Sequence, residues 1–337
     1  MMARKRKTIL VTHRVFPETL AALSRIGTVL TPNPKERFTK TQIRKLAATA
    51  DAMLVFMPDA VSETQLKNSP GLRMIAGALK GYDNIDVEAC TRRGVWVSNV
   101  PDLLTAPTAE LAIGLMIGLA RHIQAGDAWI RRRGSCTWRP SFYGTGIAGS
   151  TIGFIGMGMI GLAIAERLQG FGATVLYHDR RQITTRTAKR LRLVHCELDE
   201  LLVHSDLLIV TVPLTPNTYH LLDADMLSQC KPGALLINPA RGSVVDEAAV
   251  AAALKDGRLG GYAADVFECE DLSIARRPRR IASELLNHPA TLFTPHLGSA
   301  IVHARRTIEM RAAENVADWA SGRPPRDAVN RPHPDEA

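Results

Sequence analysis

The sequence predicts an α/β protein with two doubly wound parallel-sheet domains, the second domain being inserted into the first. Three observations lead to this prediction. The 337 residues are enough for two domains that each bury a core. Short apolar segments alternate with helix-period segments along most of the chain, and this alternation is typical of parallel sheets. A last helix-period segment, residues 301–319, is long enough to cross back to the first domain.

The first domain is predicted to comprise residues 1–100 and 301–337. The predicted strands are Thr8–Val11, Val29–Leu30, Ala52–Phe56, Leu72–Ala76 and Val95–Ser98, and the predicted helices are Pro17–Ile26, Thr39–Ala50 with Thr39 as its cap, Asp83–Arg92 and Ile301–Trp319. The proline-rich tail from Arg323 onward is expected to be extended and partly disordered.

The second domain is predicted to comprise residues 101–300. It begins with one long apolar helix, Thr105–Ala125, and an aromatic excursion, Ala128–Gly149, that either packs over a site or is an ordinary surface loop. The later strands are predicted at Thr151–Ile155, Thr174–Tyr177, Leu207–Val212, Ala234–Asn238, Gly261–Val266 and Thr291–Thr294, and the helices at Leu162–Phe171, Glu197–His204, Met226–Cys230 and Asp246–Lys255.

The segment Thr151–Asp179 contains a dinucleotide fingerprint in its required setting of strand, glycines, helix, strand and acid. Gly156 permits the tight turn, Gly158 lets the backbone approach a pyrophosphate, and Gly161 lets helix and strand pack closely. The helix N-terminus then receives the pyrophosphate, and Asp179 is placed to accept from a ribose 2′-hydroxyl. A glycine-rich turn kept for packing alone is the alternative, and it leaves Asp179 unexplained.

Composition excludes several classes of protein. The formal net charge is +9, but the basic residues are scattered in short clusters and aromatic residues make up only 5%, so a nucleic-acid partner is not expected. The five cysteines, Cys90, Cys136, Cys196, Cys230 and Cys269, form no CxxC pair, which predicts reduced thiols and no metal site. No signal segment and no apolar run of membrane-spanning length is found, so a cytoplasmic protein without a membrane partner is expected.

Three polar clusters follow predicted strands, where ligands of open α/β sheets bind. They are Asn238–Gly242, Asp265–Glu270 and Thr294–Ser299. Arg241 offers a fixed fork of donors for an anionic oxygen pair, and His296 can titrate near neutral pH with Glu270 as its carboxylate partner. Each residue alone has a structural explanation, but together after a dinucleotide fingerprint they indicate a catalytic site.

The segments NPARGSVVDE, GGYAADVFE and LFTPHLGSA resemble signatures of the D-isomer-specific 2-hydroxyacid dehydrogenase family. The resemblance covers nearly the whole chain. It implies two Rossmann-like domains, a homodimer, NAD-linked hydride transfer, and a catalytic set that falls on Arg241, Glu270 and His296.

Within that family, FMPD, ALKGYDN, VPDLLTAPTAELAIGL and WRPSFYGTG resemble the phosphite (phosphonate) dehydrogenases. Lys80 is the discriminating residue, because a lysine in this loop adds a point charge suited to a compact phosphorus oxyanion. The resemblance implies NAD-dependent oxidation of phosphite to phosphate in phosphorus metabolism. Lys80, Gly81 and Arg241 are expected to bind phosphite, and Ser299 to position the nucleophile. Met57, Trp138 and Tyr143 are expected to shape and dry the pocket.

The cofactor is expected to be NAD, with NADP possible, because Asp179 repels a 2′-phosphate while Arg180 and Arg181 partly accommodate one. Asp265 is expected near the nicotinamide. The predicted cofactor-binding residues are Gly156, Gly158, Met159, Ile160, Gly161, Asp179, Arg180, Val212, Pro213, Pro239, Ala240, Asp265 and Gly298. Two alternatives stay open: a glyoxylate, hydroxypyruvate or phosphoglycerate type of dehydrogenase, and an NAD-sensing protein like the corepressors that share this fold.

Overall fold

The computed structural model describes residues 6–33, 36–134, 138 and 142–332. Cys136, Arg4 and residues 139–141 of the WRPSFYGTG segment lie outside the described residues. The chain divides into two compact units, one formed by Met1–Leu104 with Ala300–Ala337 and the other by Thr105–Ser299. Each unit contains one sheet of parallel strands, which confirms the predicted fold class.

The first unit alternates strands and helices. Its elements are β1 (Lys7–Val11), α1 (Pro17–Ile26), β2 (Gly27–Leu30), α2 (Lys40–Ala47), β3 (Ala52–Val55), α3 (Glu63–Lys67), β4 (Met74–Gly77), α4 (Val87–Arg92), β5 (Trp96–Ser98) and, after residue 300, the helix Val302–Ala320, numbered α13. The sheet order is β2-β1-β3-β4-β5.

The second unit follows the same alternation. Its elements are α5 (Thr105–Ala120), α6 (Ile123–Arg133), β6 (Thr151–Ile155), α7 (Met159–Arg167), β7 (Thr174–His178), α8 (Thr185–Leu191), β8 (Leu193–His195), α9 (Leu198–His204), β9 (Leu207–Val210), α10 (Ala224–Ser228), β10 (Ala234–Asn238), α11 (Glu247–Lys255), β11 (Leu259–Ala264), α12 (Ser283–Leu286) and β12 (Thr291–Phe293). Short 3₁₀ turns lie at Leu168–Gly170, Gly242–Val244 and Glu268–Glu270. The sheet order is β12-β11-β10-β9-β6-β7-β8.

Both sheets are covered on both faces, which explains their continuously apolar strands. In β1, Ile9 and Val11 pack into one core with α1 and α13, whereas Leu10 packs into the other with α2, α3 and α4. In β6, Phe154 faces the core under α5 and α7, and Ile155 faces the core under α9, α10 and α11. The period of two along each strand thus divides the apolar residues between two layers.

The prediction of a single helix over residues 105–125 is wrong. Helix α5 ends at Ala120, and His122 has a φ of 51°, in the left-handed region that a continuing helix excludes. Helix α6 then begins at Ile123 and continues to Arg133, so part of the predicted excursion is helical. No pattern in the sequence predicts α8 or β8, because the α8 segment TRTAKRL is polar. Only one residue of that helix, Leu191, is buried.

The predicted disorder of the tail is also wrong for residues 323–332. Ala328 pairs with Ser98 in an antiparallel bridge, and the Asn330 side chain accepts from the Val97 amide and donates to the Val95 carbonyl. The nearly buried Arg311 donates twice to Asp327, at 2.6 and 3.2 Å. The tail therefore extends the exposed edge of the first sheet.

Among the described helices, none combines the length and hydropathy that a membrane span requires.

Candidate active site

The turn between β6 and α7 contains three glycines, and packing requires two of them. Gly156 has a φ of 96°, and a Cβ there would lie 2.8 Å from Val212 Cγ1. A Cβ on Gly161 would lie 2.8 Å from the Gly156 carbonyl oxygen. These two glycines allow the first turn of α7 to close against β6 and the end of β9.

Gly158 differs from both, because no described atom lies within 4 Å of the position its Cβ would take. It is exposed and precedes α7, whose first turn receives no side-chain cap from the described part of the chain. N–H groups at a helix start, together with the helix dipole, favour an anion. The space over Gly158, beside Met159 and Ile160, therefore fits a pyrophosphate group.

Asp179 follows β7 and is held by the glycine loop. Its carboxylate accepts from the Met157 amide at 2.8 Å and from the Arg181 amide at 3.1 Å. Each carboxylate oxygen keeps a second acceptor position, so Asp179 can also accept from a ribose hydroxyl. Arg180 is exposed next to it.

The glycine loop lies at the topological switch point of the second sheet. The chain places β7 and β8 on one side of β6 and β9 to β12 on the other side. Ligands of open α/β sheets bind beyond the carboxyl ends of strands at such a point. Val212 and Pro213, which follow β9, lie at this same edge.

The three polar clusters predicted from the sequence also lie at this edge. Asn238 at the end of β10 pairs with Ala264 of β11, and Ala264 pairs with Phe293 of β12. Arg241, Asp265 and His296 follow these three paired residues within three positions. The parallel register therefore brings the clusters to neighbouring strand ends.

His296 and Glu270 form a close pair. His296 Nδ1 lies 2.7 Å from Glu270 Oε2, and both side chains are about one-third exposed. The backbone of His296 has a φ of 57°, and its N–H donates to the carbonyls of Asp265 and Thr294. A carboxylate at Nδ1 fixes the tautomer and leaves Nε2 to accept or donate a substrate proton.

Asp265 shapes the loop that carries His296. Its carboxylate is 1% exposed and accepts from Thr294 Oγ1, the Leu297 amide and the Gly298 amide at 2.6 to 2.8 Å. Burial raises the pKa of Asp265, while these hydrogen bonds oppose the rise. A predicted cofactor residue thus also has a structural role in aiming the histidine.

Arg241 lies in the turn after β10, and buried Asn238 fixes that turn. Asn238 Nδ2 donates to the Arg241 carbonyl at 2.9 Å, and Asn238 Oδ1 accepts from the Ala240 amide at 3.0 Å. A Cβ on Gly242 would lie 1.9 Å from the Phe267 carbonyl carbon and 2.1 Å from the Glu268 nitrogen. Only glycine lets the Arg241 turn lie against the backbone that leads to Glu270. Pro239 is buried and Ala240 half-buried in the same turn.

In the first unit, Lys80 and Met57 lie in loops after β4 and β3. The Lys80 carbonyl accepts from Asn99 Nδ2 at 2.7 Å, and the Met57 carbonyl accepts from Asn84 Nδ2 at 3.1 Å. Burial lowers the pKa of Lys80, while the charge of Asp102 opposes this shift. Lys80 and the adjacent Gly81 are half-buried at the carboxyl edge of the first sheet.

Two of the remaining predicted substrate residues are exposed. Trp138 is 79% exposed and Tyr143 is 78% exposed. Ser299 is half-buried at the end of the His296 loop. The described residues contain no group of three or more His, Cys, Asp or Glu side chains that could hold a metal ion.

Sequence reasoning missed the buried acids around the Glu270 turn. Glu247, Glu268 and Asp271 are at most 7% exposed, and each accepts a hydrogen bond from a backbone amide. Their sequence signal is weak, because an acid at the start of a helix is ordinary and acids in a loop are usually solvated.

Comparisons with known proteins agree with this geometry. The family described as D-isomer specific 2-hydroxyacid dehydrogenase, NAD binding domain, matches residues 113–298. A glyoxylate reductase of Pyrococcus horikoshii is 39% identical over 295 residues, which cover 85% of each chain. A crystal structure of a protein from Thermus thermophilus has a TM-score of 0.85 and 32% identity, and covers 96% of this chain and 100% of that chain.

A further structure is the NADPH-dependent glyoxylate/hydroxypyruvate reductase of Sinorhizobium meliloti in complex with NADP and malonate. It has a TM-score of 0.81 and 30% identity, and covers 99% of this chain and 100% of that chain. The proteins from Pyrococcus horikoshii and Sinorhizobium meliloti are named for reduction of glyoxylate or of glyoxylate and hydroxypyruvate, and not for oxidation of phosphite. The chain belongs to the D-isomer-specific 2-hydroxyacid dehydrogenase family and carries its NAD-binding domain.

Proposed function

We propose that this protein is an NAD(P)-dependent oxidoreductase that interconverts a small 2-oxo acid and its 2-hydroxy acid, with glyoxylate as the first candidate substrate. The observation that carries the proposal is the 2.7 Å contact between His296 Nδ1 and Glu270 Oε2 at the edge of the sheet that bears the glycine loop. A histidine held in one tautomer at a nucleotide-binding edge suits proton transfer coupled to hydride transfer.

The residues fit a nicotinamide dinucleotide. The open position over Gly158 suits the pyrophosphate, and the fixed carboxylate of Asp179 suits an adenosine ribose. The rest of the site is proposed to be lined by residues that follow strands at the same edge, namely Val212, Pro213, Pro239, Ala240, Asp265 and Gly298. When bound, the nicotinamide supplies or accepts the hydride.

Three side chains have proposed roles in the reaction. Arg241 binds the substrate carboxylate through its guanidinium fork. His296 Nε2 gives a proton to the carbonyl oxygen during reduction and takes the hydroxyl proton during oxidation. Glu270 accepts from Nδ1 and stabilises the charged imidazole, so the histidine keeps its orientation in both directions.

Phosphite is the second candidate substrate, and Lys80 is the observation that favours it. A half-buried lysine whose backbone is pinned by Asn99 is a localised cation suited to a small oxyanion. In this reaction a water oxygen would bond to phosphorus as the P–H hydrogen leaves with its electron pair to the oxidised nicotinamide, and His296 would take a proton from the water. Lys80, Gly81 and Arg241 are proposed to bind the oxyanion, Ser299 to position the water, and Met57, Trp138 and Tyr143 to exclude other solvent.

A substrate panel tests the proposal. Purified protein is mixed with NADH or NADPH and glyoxylate or hydroxypyruvate, and separately with NAD or NADP and D-glycerate or phosphite, while the absorbance of the reduced nicotinamide is followed. Turnover of the carbon acids alone establishes the first candidate, whereas phosphite oxidation with equal release of phosphate establishes the second. Binding of NADH without any turnover would favour the NAD-sensing alternative.

Lys80→Met then tests the role of Lys80 in phosphite turnover. We expect a loss of phosphite turnover of about 10²-fold, equivalent to about 3 kcal/mol, if the ammonium binds that anion. Lys67→Met is the matched control, because Lys67 is 60% exposed and pairs with Glu63 on its own helix. If Lys80→Met oxidises phosphite as the parent does, the role given to Lys80 is wrong.

We also propose that the protein is a homodimer. No residue of α6 is buried within the chain, and Ile123 and Ile130 are about half exposed. Two exposed aromatic residues lie beside α6: Phe142, whose ring contacts that of Trp129 edge to face, and Tyr143, whose carbonyl contacts His122. Such a patch is typical of an interaction surface. Light scattering after gel filtration should give twice the chain mass, and Ile130→Glu should weaken the association.

A further inference from the structure

Two hydrogen bonds join Glu247 and Glu268 reciprocally. The Glu247 amide donates to Glu268 Oε1 at 2.8 Å, and the Glu268 amide donates to Glu247 Oε1, also at 2.8 Å. Glu247 is the first residue of α11, and Glu268 is the first residue of the 3₁₀ turn that ends at Glu270. The pair therefore connects a helix start to the turn that carries the partner of His296.

Both carboxyl groups are nearly buried, with Glu247 4% exposed and Glu268 7% exposed. Other titratable groups face them from the surrounding elements: His220 before α10, Asp246 at the start of α11, Tyr262 on β11, and Cys269, Glu270 and Asp271 in and after the 3₁₀ turn. His220 Nε2 lies 3.3 Å from Glu268 Oε2, and Asp271 accepts from the Ser243 amide. If Glu247 and Glu268 were both ionised, their carboxylates would be desolvated and would repel each other.

We propose that Glu247 and Glu268 hold one proton between them at neutral pH and are positioning residues for Glu270. Glu247 carries the proton, whereas Glu268 faces His220. The role assigned to the pair rests on the proposed function, in which Glu270 orients His296. The shared proton itself does not depend on that function.

The electrostatics agree with this assignment. Burial, reinforced by the charges of Glu268, Asp271 and Glu270, raises the pKa of Glu247 to about 7, against the opposing hydrogen bond from the Glu268 amide. Loss of the proton above that pH places a second negative charge beside Glu268. The 3₁₀ turn then has to move, because the two carboxylates are tied to each other's backbone.

Such a movement would affect both Glu270 and Arg241. Glu270 lies two residues after Glu268 in the same turn. The backbone of Phe267 and Glu268 leaves no room for a side chain on Gly242, which follows Arg241 directly. A shift at Glu268 therefore changes the aim of the Glu270 carboxylate and presses on the Arg241 turn.

Infrared spectroscopy and kinetics test the proposal together. The carbonyl band of a protonated carboxyl group is recorded in the parent and in Glu247→Gln. It is compared between about pH 6 and about pH 8.5, which lie below and above the pKa of Glu247. The same variants are assayed for kcat and KM over this range with glyoxylate or phosphite, whichever the protein turns over. Glu88→Gln is the control, because Glu88 is 93% exposed in the first unit.

In the parent we expect the band to disappear as pH rises, with a fall in kcat and in kcat/KM over the same range. Glu247→Gln, whose amide oxygen can still accept from the Glu268 amide, should lack both changes, and Glu88→Gln should keep both. If Glu247→Gln retains the band change, the proton is held elsewhere and the proposal is wrong. If Glu247→Gln lacks the band change but keeps the pH profile of kcat seen in the parent, the pair does not position Glu270.

A second variant keeps the test decisive if Glu247→Gln does not fold. Glu268→Gln removes the charge beside Glu247, so the band should disappear at a lower pH than in the parent. An unchanged titration in Glu268→Gln would contradict a shared proton. The infrared result needs no substrate, so failure of this inference can be told apart from failure of the proposed function.

Discussion

Gly158→Ala separates a glycine kept for a ligand from a glycine kept for packing. No described atom lies within 4 Å of the new Cβ, and the φ of Gly158 is −74°, which alanine adopts readily. Alanine is a poorer N-cap than glycine by about 0.5 kcal/mol, but it lowers the entropy of the unfolded chain by a similar amount, about 0.4–1 kcal/mol. The cofactor-free protein should therefore unfold with almost the stability of the parent.

Cofactor binding should respond very differently. The new methyl group occupies the space in which we propose that a pyrophosphate approaches the first turn of α7, and one or more backbone N–H bonds to that anion would be lost. Hydrogen bonds to charged groups contribute about 1.5–3 kcal/mol each. We expect the Kd for NADH to rise by roughly 10- to 150-fold.

Gly156→Ala is the matched comparison. Its Cβ would meet Val212 at 2.8 Å, and its φ of 96° is unsuitable for alanine, so we expect a loss of about 1–3 kcal/mol in the free energy of unfolding. Stability is measured by urea unfolding without cofactor, and affinity by NADH fluorescence titration. A Gly158→Ala protein that binds NADH like the parent, or that is destabilised as much as Gly156→Ala, would refute the assignment of the pyrophosphate site.

Three further predictions concern Glu270, Glu247 and Asp179. Glu270→Gln should lower kcat/KM by about 10²-fold, because the charged imidazole of His296 loses its carboxylate, while NADH affinity measured by fluorescence stays unchanged. The pKa of Glu247 is about 7 in the folded state, above its ordinary value of 4.5. Between these two pH values the folded state binds more protons than the unfolded state, so the free energy of unfolding falls as pH rises, by about 3 kcal/mol at most. Glu247→Gln should flatten that part of the urea-unfolding profile. Asp179→Ala should raise the ratio of NADP to NAD affinity by about tenfold, because it removes the acceptor for the ribose hydroxyl and the repulsion of a 2′-phosphate; an unchanged ratio would contradict its role.

The sequence predicts the strands best where their apolar runs end in polar residues. The predicted Thr151–Ile155 and Ala234–Asn238 agree with β6 and β10, because buried parallel strands are continuously apolar. Gly156 follows the last residue of β6, and the polar Asn238 is the last residue of β10. The break at His122 could not be predicted, because a histidine with positive φ is set by its surroundings rather than by its own preference. The position of the tail could not be predicted either, because it depends on contacts between distant residues, such as the hydrogen bond from Arg311 to Asp327, 16 residues later.

Site residues are predictable by type, but their alignment is not. Arg241, Glu270 and His296 stand out because reactive side chains follow apolar strands in a chain with a dinucleotide fingerprint. Their geometry depends on contacts between distant residues, such as Asp265 with the amide of Gly298, 33 residues later, and Glu247 with that of Glu268, 21 residues later. Such contacts arise only from the parallel register of β10, β11 and β12.

The same reasoning explains why substrate choice is the hardest property to predict. The family match covers residues 113–298, which include Arg241, Glu270 and His296 but not Lys80. The matched segment therefore bears on the cofactor and on proton transfer, which oxidation of a hydroxy acid and oxidation of phosphite share. Lys80, the residue that we propose to distinguish the two anions, lies in the other unit, in a loop held by Asn99. The glyoxylate reductase of Pyrococcus horikoshii matches 85% of this chain, which extends beyond the segment of the family match. A substrate panel together with Lys80→Met weighs that relatedness against the lysine.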